Sequence, residues 1–235
     1  MNEPVEAVLF DIDDTLCAYR RPGEELLADA FTSEGVAPFF EIGEYYDRFE
    51  EFATNQDATR EVRAACFAAI AAERGYDPAV GRALAERYER ARDHRDVAFL
   101  PGAREALDVL ADDHRLGVVT NGGPDTQDPK LDGLGLEGAF ETVVYAGHDA
   151  APKPDRAPFD RALADLGISA ERAVHVGNSF DADVAGAHAA GLRSVWVPAE
   201  GSYDERGEPD DPSGESASYE LRSLHELTPV PWHGG

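Results

Sequence analysis

Residues 8–17 read VLFDIDDTLC: three apolar residues run into Asp11, Asp13 and Asp14 before apolar character returns at Leu16. A short β-rich run that ends in acids has the form of a buried strand delivering carboxylates at its carboxyl end. Acids alone carry little weight in this chain. It holds 47 Asp plus Glu against 21 Lys plus Arg, a formal net charge of -26, and a D-x-D-D pattern would arise by chance about 0.2 times in such a composition. The meaning of the stretch rests on what else converges on it.

Five apolar, β-rich runs stand out, at Val5 to Phe10, Leu116 to Thr120, Thr142 to Tyr145, Ala173 to Val176 and Ser194 to Val197. The last four are separated by helical periodicity, as in Pro158 to Leu166 and Asp181 to Ala190. This alternation predicts an α/β fold, a Rossmann-like parallel sheet core with helices on both faces. About 100 residues lie between the first and second strands, far more than a crossover needs. Within them Glu24 to Phe31, Glu44 to Phe52, Thr59 to Arg74 and Pro78 to Arg92 show apolar spacings of three and four, with Gly-Tyr-Asp-Pro at 75–78 as punctuation. An inserted α-helical cap domain is therefore expected over residues 17–96, with the core formed by 1–16 and 97–235. Ala103 to Leu110 reads as the helix leading to the second strand, and Glu200 to Ser218, rich in Gly, Pro, Ser and acids, as a mobile surface loop.

The excess of acids argues against binding to a nucleic-acid backbone, which needs a basic stripe. No apolar run approaches the ~18 residues of a membrane span, and the first residues, MNEPVEAVLF, lack a basic leader. A soluble, cytoplasmic protein with neither nucleic-acid nor membrane partner is expected, its oligomeric state open. Cys17 and Cys66 match no disulfide or zinc spacing and read as reduced, partly buried thiols. Lys130 and Lys153 are the only lysines. This Arg-dominated, acid-rich composition resembles that of haloarchaeal proteins and implies a salt-loving cytosol, where the Debye length shrinks to about 3 Å at 1 M.

Ligands of an open parallel sheet bind beyond the carboxyl ends of its strands. The first strand delivers Asp11, Asp13 and Thr15 there; the second delivers Thr120, Asn121 and Gly122. Pro152-Lys153-Pro154 follows the third, and Gly177, Asn178, Ser179, Asp181 and Asp183 follow the fourth. Every strand end thus carries groups suited to phosphate and metal. Lys153 is a compact ammonium in a chain that otherwise uses Arg, and its flanking prolines could aim it; Lys130 reads as an ordinary surface lysine at a loop to helix junction. His148 and His175 have no second His or Cys at ligand spacing and read as structural.

The segments DIDDTL, VVTNG, APKPD and VGNSFDADVAGAHAAG, in that order and with a helical insert after the first, resemble the four motifs of the haloacid dehalogenase superfamily, in particular its phosphatase-like members with a helical cap in the first insertion position. The resemblance implies Mg²⁺-dependent hydrolysis of a small-molecule phosphate monoester through an aspartyl-phosphate. It casts Asp11 as nucleophile, Asp13 as the acid/base and Lys153 as the charge that neutralises the dianionic ester. Thr15, Thr120 and the amides of Asn121 and Gly122 would hold phosphoryl oxygens, and Asp11, the Asp13 carbonyl, Asn178 and Asp183 would ligate Mg²⁺. The fourth motif of the family often begins Gly-Asp, whereas here it begins Gly177-Asn178; Asp181 reads as a helix-start acid and Asp14 as a turn neighbour.

The partner implied is a small phosphorylated metabolite, with phosphoglycolate, sugar phosphates and nucleoside monophosphates as candidates. A phosphomutase or a 2-haloacid dehalogenase shares the fold. The dehalogenase branch lacks an acidic second residue, because a halide leaves without a proton. A receiver-like signalling domain would carry its phosphorylatable Asp where this chain has Thr120-Asn121, and a noncatalytic binding domain is the blandest alternative.

Overall fold

A computed structural model describes residues 3–53, 58–198 and 216–233. Most of the loop expected over Glu200 to Ser218 lies outside the described residues. Along the chain run β1 (Ala7–Phe10), β2 (Cys17–Tyr19), α1 (Gly23–Glu34), α2 (Ile42–Asp47), α3 (Phe49–Ala53), α4 (Thr59–Glu73), α5 (Pro78–Ala91) and β3 (Val97–Phe99). There follow α6 (Ala103–Leu110), β4 (Arg115–Thr120), α7 (Pro124–Leu134), β5 (Thr142–Tyr145), α8 (Ala157–Leu166), β6 (Ala173–Gly177), α9 (Ala185–Ala189), β7 (Arg193–Trp196) and β8 (Tyr219–Glu220).

The chain divides into two compact units, one of Met1–Ala18, Ala98–Gln127 and Leu134–Gly235, the other of Tyr19–Val97 and Asp128–Gly133. The first is built on a six-stranded sheet in the order β5-β4-β1-β6-β7-β8, with every pairing parallel and helices on both faces. β1 is buried at all four positions because it is central in this sheet. Apolar residues of α8 recur at helical spacing, Phe159, Ala162, Leu163 and Leu166, and pack with Leu9 and Val119. From β1 the chain moves outward through β4 and β5, then returns to the other side of β1 and runs outward through β6 and β7. The strand order therefore reverses between β1 and β6, which makes the carboxyl ends of these two strands the topological switch point.

The second unit is helical. Its core joins Leu26, Phe31, Phe40, Ile42, Tyr45, Phe67, Ile70, Leu84 and Tyr88, with edge-to-face ring pairs such as Phe40–Phe67 and Tyr45–Phe67. Asp77 caps α5 by accepting the Ala79 N–H at 2.8 Å, and Pro78 takes the first helical position, where a missing N–H is harmless. Arg63 is buried between the Tyr45 and Tyr88 rings and ion-paired to Glu89. No helix among the described residues is long and apolar enough to cross a membrane.

The structure departs from the sequence reading at several points. Residues 44–52 form two helices, because the chain leaves helical geometry at Arg48 (φ -105°, ψ 2°), whose guanidinium engages Glu51 and Glu73. The helix expected between the second and third predicted strands spans 124–134, bounds that the sequence did not give. Lys130, read as a surface lysine, sits on that helix only 3% exposed, with its ammonium 4.9 Å from the Tyr19 ring centroid. The same ring carries Arg92 at 4.0 Å, and its hydroxyl meets His94 Nδ1 at 2.6 Å. Neither cysteine is in a disulfide, and both are fully buried rather than partly so.

Candidate active site

The site starts from how β1 ends. The Asp11 N–H extends the ladder to the Val176 carbonyl at 2.9 Å. The backbone then folds back on itself, the amides of Leu16 and Cys17 both donating to the Ile12 carbonyl. Asp14 makes the turn possible with φ 56°, a left-handed conformation that Asp tolerates better than most residues. Its N–H donates to the Cys17 carbonyl at 2.9 Å.

The Lys153 ammonium lies 2.8 Å from Asp11 Oδ1, 2.6 Å from Asp183 Oδ1 and 2.9 Å from the Val119 carbonyl. All three of its protons have an acceptor in a site where Asp11, Lys153 and Asp183 are buried. The Asn121 side chain fixes the Lys153 backbone, accepting its N–H at 2.8 Å and donating to its carbonyl at 3.2 Å. Asp183 is carried by a π-helical turn, Phe180–Val184, that Ser179 caps by accepting the Ala182 N–H. Such turns recur at functional sites because they re-aim one side chain. Asp183 packs directly on the strand end: a Cβ at Gly177 would lie 2.2 Å from its Cγ, so only glycine fits there. Its Oδ2 accepts the Ser179 N–H, and its Oδ1 also meets His175 Nε2 at 2.9 Å.

Burial pushes the Asp11 carboxyl up to about 7, against the pull of Lys153 and with the help of the Asp183 charge. Burial acts the same way on Asp183, but the Lys153 ammonium and His175 overcome it and hold that carboxyl well below the usual range. For Lys153, burial favours loss of the proton, and the charges of Asp11 and Asp183 outweigh it, so its pKa rises. His175 is driven toward the neutral form by burial. The site thus sets two buried carboxylates, each ion-paired to Lys153, against one buried ammonium, and is short of positive charge.

Other predicted residues lie around this triad. Thr15, buried, donates to Asn178 Oδ1 at 3.1 Å. Thr120, buried at the end of β4, accepts the Gly122 N–H at 3.3 Å. Asp13 Oδ2 accepts a 2.8 Å hydrogen bond from Gln127 Nε2. Asp181 is exposed, while His175 is buried behind Asp183. His148 is exposed and faces Asp149. Gln127 was not foreseen: a lone glutamine carries no motif, and its place is set by the first turn of α7, whose bounds were unread. The only sequence signal was Gly122, where a Cβ would fall 1.7 Å from Gln127 Nε2.

The oxygen donors gathered here suit a hard divalent cation. Two buried carboxylates and a carboxamide oxygen are present, and the shortage of positive charge is the feature that a cation would satisfy. Among the described residues there is no group of three or more His, Cys, Asp and Glu of the kind that alone holds a metal, so amide and main-chain oxygens would have to complete the shell.

Among relatives, the chain is 39% identical to phosphoserine phosphatase of Thermus thermophilus over 64% of its own length and 56% of that protein; it spans only about half of the first such relatives. It is 30% identical to ribulose-1,5-bisphosphate 5-phosphatase of Halopiger xanaduensis over 94% of its own length and 97% of that protein. The crystal structure of the HAD-hydrolase YfnB from Bacillus subtilis bound to magnesium matches with a TM-score of 0.74 at 25% identity, covering 97% of this chain and 99% of that one. The model of the haloacid dehalogenase-like hydrolases matches residues 5–191, spanning β1 through the turn after α9. With the parallel sheet and the acids at its switch point in view, the chain belongs to the haloacid dehalogenase-like hydrolase family.

Proposed function

We propose that this protein is a Mg²⁺-dependent phosphatase of small phosphorylated metabolites that works through an aspartyl-phosphate on Asp11. The observation that carries the reading is the buried Lys153 ammonium shared between Asp11 and Asp183. A phosphate ester is a dianion, and an anionic nucleophile approaches it only where positive charge is already fixed.

In the proposed cycle one Asp11 oxygen attacks phosphorus and the bond to the leaving oxygen breaks. Asp13 gives its proton to that oxygen, then takes a proton from the water that attacks the phosphoenzyme, and Asp11 is regenerated. Lys153 offsets charge at the nucleophile and at the transferring oxygens. Thr120 and the amides of Asn121 and Gly122 bind the phosphoryl group, with Thr15 beside them. Asp11, Asp183, the Asp13 carbonyl and Asn178 would hold Mg²⁺, which when bound supplies Lewis-acid polarisation of a phosphoryl oxygen. Asp13 favours phosphoryl chemistry over dehalogenation, since a halide needs no proton donor.

The names of the relatives matched, phosphatases of phosphoserine and of a sugar bisphosphate, support this reading, and phosphoglycolate, sugar phosphates and nucleoside monophosphates are the substrates to try. The acid-rich charge supports a salt-rich cytosol as the working medium. The test is phosphate release across such a panel in molar KCl, with and without Mg²⁺, for wild type and Asp11→Asn. Release should need Mg²⁺ and fall by about 1000-fold or more in the variant; unchanged hydrolysis by Asp11→Asn would sink the mechanism.

A further inference from the structure

Gln127 is 1% exposed and spends its amide N–H on Asp13 Oδ2 at 2.8 Å, while its own Oε1 is buried with no hydrogen-bond partner among the described residues. A buried acceptor left unpaired costs on the order of 1–3 kcal/mol, and native structures keep few of them. A methionine would fill the same space without that cost. The local backbone is also arranged around this one carboxamide. The Gln127 backbone N–H bonds the Gly123 carbonyl in the first turn of α7, and Gly122 has no side chain where Nε2 lies.

We propose that Gln127 is a positioning residue for Asp13, a role that rests on the phosphatase reading above. An amide N–H is a donor and nothing else, so Asp13 Oδ2 is held as an acceptor whether Asp13 is ionised or neutral. The proton that Asp13 delivers and recovers is thereby confined to Oδ1. One oxygen of Asp13 then faces the leaving group in the first half-reaction and the water in the second. Without Gln127 the donor that fixes Oδ2 as the acceptor is gone, the proton is no longer held to Oδ1, and the orientation advantage of a fixed acid is lost.

The consequence depends on the leaving group, which a merely structural role would not. An alkoxide must be protonated as it departs, whereas p-nitrophenolate need not be. Single-turnover phosphoryl transfer is measured by rapid quench with glycerol 2-phosphate and with p-nitrophenyl phosphate, at saturating Mg²⁺ and molar KCl, for wild type and Gln127→Met. Transfer from glycerol 2-phosphate should slow by about 30-fold or more and transfer from p-nitrophenyl phosphate by less than about 3-fold. Gln127→Leu, which has a similar volume and no donor, is read in the same way and stands in if the methionine variant does not fold. Equal slowing with both esters, or none with either, overturns the role of Gln127 while leaving the phosphatase reading in place. A wild-type chain that forms no phosphoenzyme from either ester overturns both.

Discussion

Asp11 shows what the site costs the protein. Its carboxyl is buried, close to Asp183, and pushed up to about 7, so at pH 8 the folded state carries a charge that burial disfavours. Removing that charge should stabilise the fold even as it removes the proposed nucleophile, the trade expected where function sets the residue. In EDTA at pH 8, Asp11→Asn is expected to melt about 2–6 °C above wild type, as a gain of roughly 1–2 kcal/mol would produce in a domain of this size. Added Mg²⁺ should narrow the difference by raising wild type more than the variant. A variant that melts below wild type in EDTA would show that Asp11 stabilises the fold. The sequence pointed to Asp11, Asp13 and Lys153 through motif order; it could not show that Lys130, the other lysine, is also buried, because burial of a cation depends on groups brought to it from elsewhere, the Tyr19 ring among them.

At the scale of elements, β1, β4, β5, β6 and β7 were legible because each is a short, mostly apolar run, the pattern of a sheet covered on both faces, whereas β2, β3 and β8, two or three residues each, are too short to leave such a pattern. The bounds of helix α7 were not legible, because PDTQDPKLDGL holds two prolines and a glycine and shows little apolar periodicity. Its formation rests on tertiary contacts, and so Gln127 was hidden with it. The π-helical turn carrying Asp183 was likewise unreadable: residues 181–190 look like one helix, and the extra residue per turn comes from Asp183 packing over Gly177. This close approach gives an element-scale expectation. Gly177→Ala places a methyl where Asp183 Cγ lies, and the carboxylate cannot yield without releasing Lys153, His175 and the Ser179 amide. The loss should be about 1–3 kcal/mol in chemical denaturation, with a fall in phosphate release alongside. A variant equal to wild type in both would mean that the turn has room to move.

The whole molecule carries a net charge of -26, and no local contact answers it. Many acids on the surface do meet an arginine, as in Arg104–Asp108, Arg156–Asp160 and Arg161–Asp165. Each such exposed pair contributes about 0–1 kcal/mol and weakens with salt. If these pairs governed stability, salt would lower the melting temperature; if the unbalanced charge governs, salt raises it. The second outcome is expected, a rise of roughly 10 °C or more between 0.1 M and 2 M KCl, measured by scanning calorimetry. A melting temperature that fell or stayed level would remove the case for a salt-adapted fold.

Asp11 and Lys153 stand 142 positions apart, and Thr15 and Asn178 stand 163 apart. Contacts so distant in sequence form late, because long loops must close before they form. A chain still growing, or one whose sheet is incomplete, carries the same acids but lacks the ammonium beside them. On the proposed mechanism such a chain is chemically silent toward phosphate esters, and reactivity arrives together with the finished sheet.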